Sequence, residues 1–273
     1  MVTDQCACHT ACMLIDSHCH LDFPVFDANR EQVLRRAVDA AVTAIVVPGV
    51  TARDWSRVLD LCTRERQDIR LFPALGLHPC FMSVYEADQL EALAQLIAQQ
   101  RSSVVAVGEI GLDFQLEQFD AQAQLDLFEA QLAIARDFEL PVLLHVRKAH
   151  DQVLKLLRRY RLVRGGIVHA FSGSEQQARE YAKLGFKLGF GGAISYSRAT
   201  KLRRLAAQLP LEWIVLETDA PDMPLSQWRD QPNEPRHVAD VAGIIAGLRG
   251  EAVHQIVEVT GSSATELLGL NYS

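Results

Sequence analysis

The chain has no apolar run long enough to span a bilayer and no basic-then-apolar opening of the secretory kind, which predicts a cytoplasmic protein without a membrane role. It also lacks a disulfide framework. Of its six cysteines, Cys6, Cys8 and Cys12 crowd the first residues, while Cys19, Cys62 and Cys80 are scattered through the body. Basic residues are in deficit, with 27 Lys and Arg against 34 Asp and Glu and a formal charge of −7. A firm hold along duplex nucleic acid needs many cationic contacts to phosphate, so this balance argues against that class and leaves a small substrate or a strand end. Low-complexity segments are absent, and no motif calls for an obligate protein partner.

What the chain does contain is a steady alternation. From Met13 onward, short β-branched or apolar runs are followed by turns and then by stretches of helical spacing, the signature of a parallel sheet. Strands are predicted at 14–17, 44–48, 70–75, 104–109, 142–145, 166–169, 187–190 and 214–217. Helices are predicted at 30–41, 55–66, 87–100, 118–138, 150–160, 175–184 and 201–208, with two more at 236–249 and 251–268. Eight such strands within 273 residues, 49% of them hydrophobic, predict one α/β domain, a closed (β/α)8 TIM barrel over 13–273. Residues 1–12 are expected to be a disordered extension, and Met13 is a possible natural start. The alternative for that tail is a small zinc site in Cys6-x-Cys8-His9-x-x-Cys12, which lacks a second ligand pair at finger-like spacing. Four prolines between 220 and 235 predict an irregular loop after the eighth strand. The run of Arg158, Arg159, Arg161 and Arg164 reads as a solvated helix end.

In such a barrel the chemistry sits at the C-terminal ends of the strands. His18 and His20 follow the first apolar run. On extended backbone they point the same way, with Cys19 pointing away. Glu109, His145 and His169 end the fourth, fifth and sixth runs, and Asp219 follows the eighth. Closure would bring Asp219 beside His18 and His20 around one ion, and the adjacency of strands four to six would gather Glu109, His145 and His169 around a second. Imidazole and carboxylate together suit zinc, manganese or iron. Two cations about 3.5–4 Å apart can activate a water and stabilise the leaving oxygen of a phosphoester.

Asp16-Ser17-His18-Cys19-His20-Leu21-Asp22, Gly76-Leu77-His78-Pro79, Gly108-Glu109-Ile110-Gly111-Leu112-Asp113, His169-Ala170-Phe171-Ser172-Gly173, Glu217-Thr218-Asp219-Ala220-Pro221 and Asn233-Glu234-Pro235 together resemble the TatD family of metal-dependent hydrolases and deoxyribonucleases. The resemblance runs from Met13 to the C-terminus. It implies a TIM barrel of the amidohydrolase superfamily with two divalent metal ions, zinc, magnesium or manganese. His18, His20 and Asp219 would hold one ion, His145 and His169 the other, and Glu109 would bridge them. It also implies phosphodiester hydrolysis with DNA ends or short single-stranded DNA as substrate, in the manner of a 3'-5' exonuclease.

Around these ligands, Asp219 is expected to position or deprotonate the attacking water. His78 is expected to bind a substrate phosphate or to protonate the leaving group, or else simply to shape the turn before Pro79. Arg147, Lys148 and Ser172 are expected phosphate contacts, joined by free N–H groups of a helix opening after Ser172-Gly173-Ser174, unless Ser172 or Ser174 merely caps it. Asp16 and Asp22 are expected to accept an N–H from a ligating imidazole. Two other functions fit the same composition. An amidohydrolase acting on a small cyclic amide or ester is one, although such enzymes often bridge their metals with a carboxylated lysine where this chain has Glu109. A non-catalytic binding protein descended from a hydrolase is the other, and it should have lost ligands that are all present here.

Overall fold

The computed structural model describes residues 13–64 and 66–270, so the expectations for residues 1–12 lie outside the described residues. Eight parallel strands run in sequential order, β1 (Leu14–Asp16), β2 (Val42–Pro48), β3 (Arg70–Leu75), β4 (Ala106–Asp113), β5 (Val142–Arg147), β6 (Gly166–Val168), β7 (Phe186–Phe190) and β8 (Ile214–Leu216). The helices between them are α1 (Arg30–Asp39), α2 (Trp55–Thr63), α3 (Gln89–Gln99), α4 (Ala121–Asp137), α5 (His150–Tyr160), α6 (Glu175–Lys183) and α7 (Thr200–Gln208). Two further helices, α8 (Val238–Arg249) and α9 (Val253–Leu268), complete the described chain. None of these helices is long and apolar enough to cross a membrane.

Closure is made beyond the ends of β1 and β8. Ser17 donates to the Leu216 carbonyl at 2.9 Å, Asp219 to His18 at 2.9 Å and His20 to Ala220 at 2.8 Å. The molecule is therefore the expected (β/α)8 TIM barrel. Its interior is filled by alternate strand residues, with Ala44, Ala74 and Ala106 leaving room for Ile15, Val46, Leu143, Ile167 and Val215. Residues of opposite parity, such as Ile45, Val47 and Leu144, face the helices in the larger outer core. Leu268 of α9 and the following Leu270 join the inner cluster. Each such side chain contributes about 1.5–3 kcal/mol relative to exposure.

Three boundaries differ from the predicted ones in ways that matter for the site. β4 begins at Ala106 and continues to Asp113, so Glu109 lies in mid-strand rather than at its end. Gly111 permits this: at φ 147° it pairs with His145, and a Cβ there would lie 2.0 Å from the His145 carbonyl oxygen. β5 likewise continues past His145 to Arg147. β1, by contrast, stops at Asp16. His18 and His20 lie on an extended segment held on one side by Cys19 N–H to Val46 and on the other by the bonds to the chain after β8.

Candidate metal centre

The barrel mouth opens into a cleft of about 550 Å³ whose floor is built from imidazoles and carboxylates of β1, β4, β5, β6 and β8 or the residues just after them. His18 Nε2 lies 3.4 Å from His20 Nε2 and 3.2 Å from Glu109 Oε2. His20 Nε2 lies 3.4 Å from the same oxygen. Asp219 Oδ1 faces both rings, at 3.8 Å from His18 and 3.6 Å from His20. An ion with four donors about 2.0–2.1 Å away spaces neighbouring donors about 3.3 Å apart, and the pairs in this set, at 3.2–3.8 Å, lie close to that. The opposite oxygen, Glu109 Oε1, faces different partners: His145 Nδ1 at 3.2 Å and His78 Nε2 at 3.3 Å. His169 completes the ring, with Nε2 3.4 Å from Asp219 Oδ2 and its plane stacked on His18 at 3.8 Å. Ligand atoms of Glu109, His145 and His169 lie within 4.8 Å of one another, as do those of His18, His20 and Glu109.

The electrostatics follow from crowding these groups away from water. Burial by itself would lift the Glu109 carboxyl, but His78, His18 and His145 outweigh burial and hold it well below the usual range. The same contest leaves Asp219 below its ordinary value, because His169, His18 and His20 oppose the burial. Burial pushes the His18 imidazole down, and the neighbouring His169 adds to that push. His20 goes the other way: burial disfavours its charge, yet Glu109, Asp219 and Asp22 raise it to about 9. Asp219 itself sits at φ 58°, a left-handed conformation that an aspartate tolerates better than most residues.

The structure brings all six expected ligands together and sorts the remaining expectations. His78 shapes the turn before Pro79, the structural alternative foreseen for it. Its Nδ1 accepts the Cys80 N–H at 3.1 Å as a helix cap, which leaves the proton of the neutral ring on Nε2, aimed at Glu109. Burial pushes that imidazole down, against the opposing pull of Glu109. Arg147 lines the cleft half-exposed, with Nη1 3.5 Å from Asp113, and Ser172 lines it as well. Lys148 does not line the cleft; it is exposed just beyond β5 in a left-handed conformation. Ser174, not Ser172, caps α6, through a reciprocal pair of bonds with Gln177.

Asp16 and Asp22 do not accept from the imidazoles. Asp16 takes the Thr218 N–H at 2.9 Å and its hydroxyl at 2.5 Å, fastening β1 to the chain after β8, and burial pushes its carboxyl up to about 8. Asp22 Oδ1 is buried without a hydrogen-bond partner. The carboxylates that brace the imidazoles are two that sequence reasoning quoted but gave no role. Asp113 Oδ2 lies 3.0 Å from His145 Nε2, and Glu217 Oε1 lies 3.1 Å from His169 Nδ1 while accepting the Ala170 N–H. A signal for Glu217 existed in Gly189, where a Cβ would lie 2.0 Å from Glu217 Oε2, but it is readable only once β7 and β8 are paired.

Comparison with known proteins points to metal-dependent hydrolases. The family model described as TatD related DNase matches residues 15–269. An uncharacterized metal-dependent hydrolase of Escherichia coli K12, YjjV, is 44% identical over 247 residues, covering 90% of this chain and 94% of its own. The crystal structure of YjjV aligns with a TM-score of 0.91 at 41% identity, over 96% of this chain and all of that one. A 3'-5' ssDNA/RNA exonuclease TatD of Erwinia billingiae is 30% identical over 263 residues, 94% of this chain and 99% of its own.

Proposed function

Because this chain belongs to the TatD-related DNase family of metal-dependent hydrolases, we propose that it hydrolyses phosphodiester bonds at the ends of single-stranded DNA with two divalent cations at the barrel mouth. The observation that carries this reading is the two-sidedness of Glu109, whose oxygens face separate sets of imidazoles. His18, His20 and Asp219 would hold the first ion and His145 and His169 the second, with Glu109 offering one oxygen to each set. The donor set, rich in imidazole, favours zinc or manganese over magnesium. Bound there, divalent cations supply neutralisation of charge developing on phosphoryl oxygens and acidify water.

The chain's own residues do the rest. Asp219, at the cleft floor and ionised, orients the attacking water and accepts its proton. With Glu109 turned to the cations, the His78 Nε2–H is released to donate to a phosphoryl oxygen, and Arg147 adds a charged contact from the wall. A cleft of about 550 Å³ is the size of a small-molecule pocket, enough for the end of a strand and too small for a duplex. With Arg147 the one Lys or Arg side chain among its described lining residues, few phosphates can be held, as the −7 charge of the chain also requires. The Erwinia relative, a 3'-5' ssDNA/RNA exonuclease by name, supports both the single strand and the 3'-5' direction for this chain.

The test offers metal-loaded protein a linear and a closed circular single strand of the same sequence. Shortening of the linear strand alone is expected. Equal cutting of the circle removes the end-processing reading, and inertness toward both redirects attention to small phosphoesters, cyclic amides or lactones.

A further inference from the structure

A second cavity of about 350 Å³ adjoins the cleft, lined by Ala193, Tyr196, Arg198, Ala199, Met223 and Pro224. Met223 lines both cavities, so a chain leaving the metal centre over Met223 enters this one directly. Its walls are firmly placed. The Tyr196 hydroxyl donates to the Pro224 carbonyl at 3.1 Å, and Ser226 N–H donates to Ser195 Oγ at 2.7 Å, tying the segment after β7 to the proline-rich loop after β8. Arg203 Nη1 donates to the Ile194 carbonyl at 2.7 Å beneath them. Against this braced backdrop Arg198 is exposed, with its guanidinium 5.3 Å from the Tyr196 ring centre and no carboxylate partner among the described residues.

Resting on the single-strand reading above, we infer that Tyr196 and Arg198 form a second nucleotide subsite that receives the residue next to the one being removed. The pieces match what such a nucleotide presents. Small Ala193 and Ala199 leave space for a base, Met223 and Pro224 offer apolar contact, and the aromatic ring with the guanidinium in cation–π range of it offers flat groups on which any base can stack. The same guanidinium can reach the phosphate on the far side of that nucleotide, one step along the strand from the bond being cut. Stacking reads no hydrogen-bonding edge, so the subsite favours unpaired over paired nucleotides without selecting a base.

The experiment compares metal-loaded wild type, Arg198→Ala and Arg198→Lys on two substrates: bis(4-nitrophenyl) phosphate, small enough to occupy the metal cleft alone, and pentathymidylate. Binding of a fluorescent phosphorothioate pentathymidylate is followed in parallel by anisotropy over a salt series. Arg198→Ala should raise KM for pentathymidylate about tenfold, from the loss of one stacking contact, and leave hydrolysis of the small diester unchanged. The slope of log Kd against log salt should fall by about 0.7, one phosphate contact fewer. Arg198→Lys should restore the salt slope but not the full KM, since an ammonium keeps the charge and loses the plane. Unchanged KM and slope in Arg198→Ala, or equal losses on both substrates, would overturn the subsite while leaving the nuclease reading intact. Wild type that binds the oligonucleotide through Arg198 yet hydrolyses neither substrate would instead overturn the nuclease reading and keep the subsite; binding by neither route overturns both.

Discussion

The floor and the rim of the cleft are built on opposite terms. On the floor every ligand-bearing side chain has at least one neighbour of the set or a bracing carboxylate within 3.0–3.8 Å, and most are almost wholly buried. On the rim Arg147 is half-exposed, Ser172 and Arg198 are exposed, and Met223 is 36% exposed. The contrast teaches a division of labour. Groups that face one another at 3–4 Å are over-determined by packing, whereas those of the rim sit at a strand end or on loops and are left room to move.

The sharpest way to break that contrast is to remove the centre of the floor. Glu109→Ala should leave less than one ion per chain and lower kcat/KM by at least about a thousandfold, because two imidazole sets lose their shared counter-charge together. His18→Ala should retain more metal than Glu109→Ala. Elemental analysis showing full occupancy in Glu109→Ala would remove the bridging role.

A layer outward, the bracing carboxylates should matter less. Asp113→Ala and Glu217→Ala each free one imidazole to rotate, and each should weaken metal binding by about 10–100-fold in a competition titration against a chromophoric chelator. Activity should return at saturating metal. Activity that stays lost at full occupancy would mean these carboxylates touch the reaction itself.

Changes on the rim should leave the metals alone. Arg147→Ala is expected to raise KM for single-stranded DNA about tenfold with unchanged metal content and nearly unchanged kcat. A fall in kcat at constant KM would place Arg147 in the transition state instead.

The smallest effect concerns stability behind the rim, where His150 Nδ1 meets the Tyr181 hydroxyl at 3.1 Å and packs on Phe171. Burial, helped by the nearby Lys201, lowers this imidazole to about 4. Between that value and about 6.5 the unfolded chain binds more protons than the folded one, so stability present above pH 6.5 is lost as pH falls toward 4. Urea unfolding at pH 7 and pH 4.5 should show a loss about 1–2 kcal/mol larger in wild type than in His150→Gln. Equal losses would show that the ring is charged, and solvated, in the native state.

Much of this architecture is written locally. The alternation of apolar runs with helical spacing depends only on neighbours in the chain, which is why all eight strands and nine helices among the described residues fall where the pattern places them, within a few residues at most boundaries. The six residues His18, His20, Glu109, His145, His169 and Asp219 stand out for a related reason: a titratable group at the end of an apolar run needs a partner there. Other features are invisible until the barrel closes. That Glu109 lies mid-strand follows from Gly111 pairing with His145, and that Asp113 and Glu217 rather than Asp16 and Asp22 brace the imidazoles follows from strand register. Lys148 shares its place in sequence with Arg147 but not its place in the cleft, because its left-handed backbone leaves the strand there. The adjacency of Met223 to Tyr196 and Arg198 likewise arises where two loops meet across the barrel mouth. Sequence by itself determined which chemistry was available and on which elements, because periodicity and strand ends are local. Only the tertiary structure decided which atom faces which, because a distance of 3 Å between residues a hundred positions apart is set by register, closure and close packing.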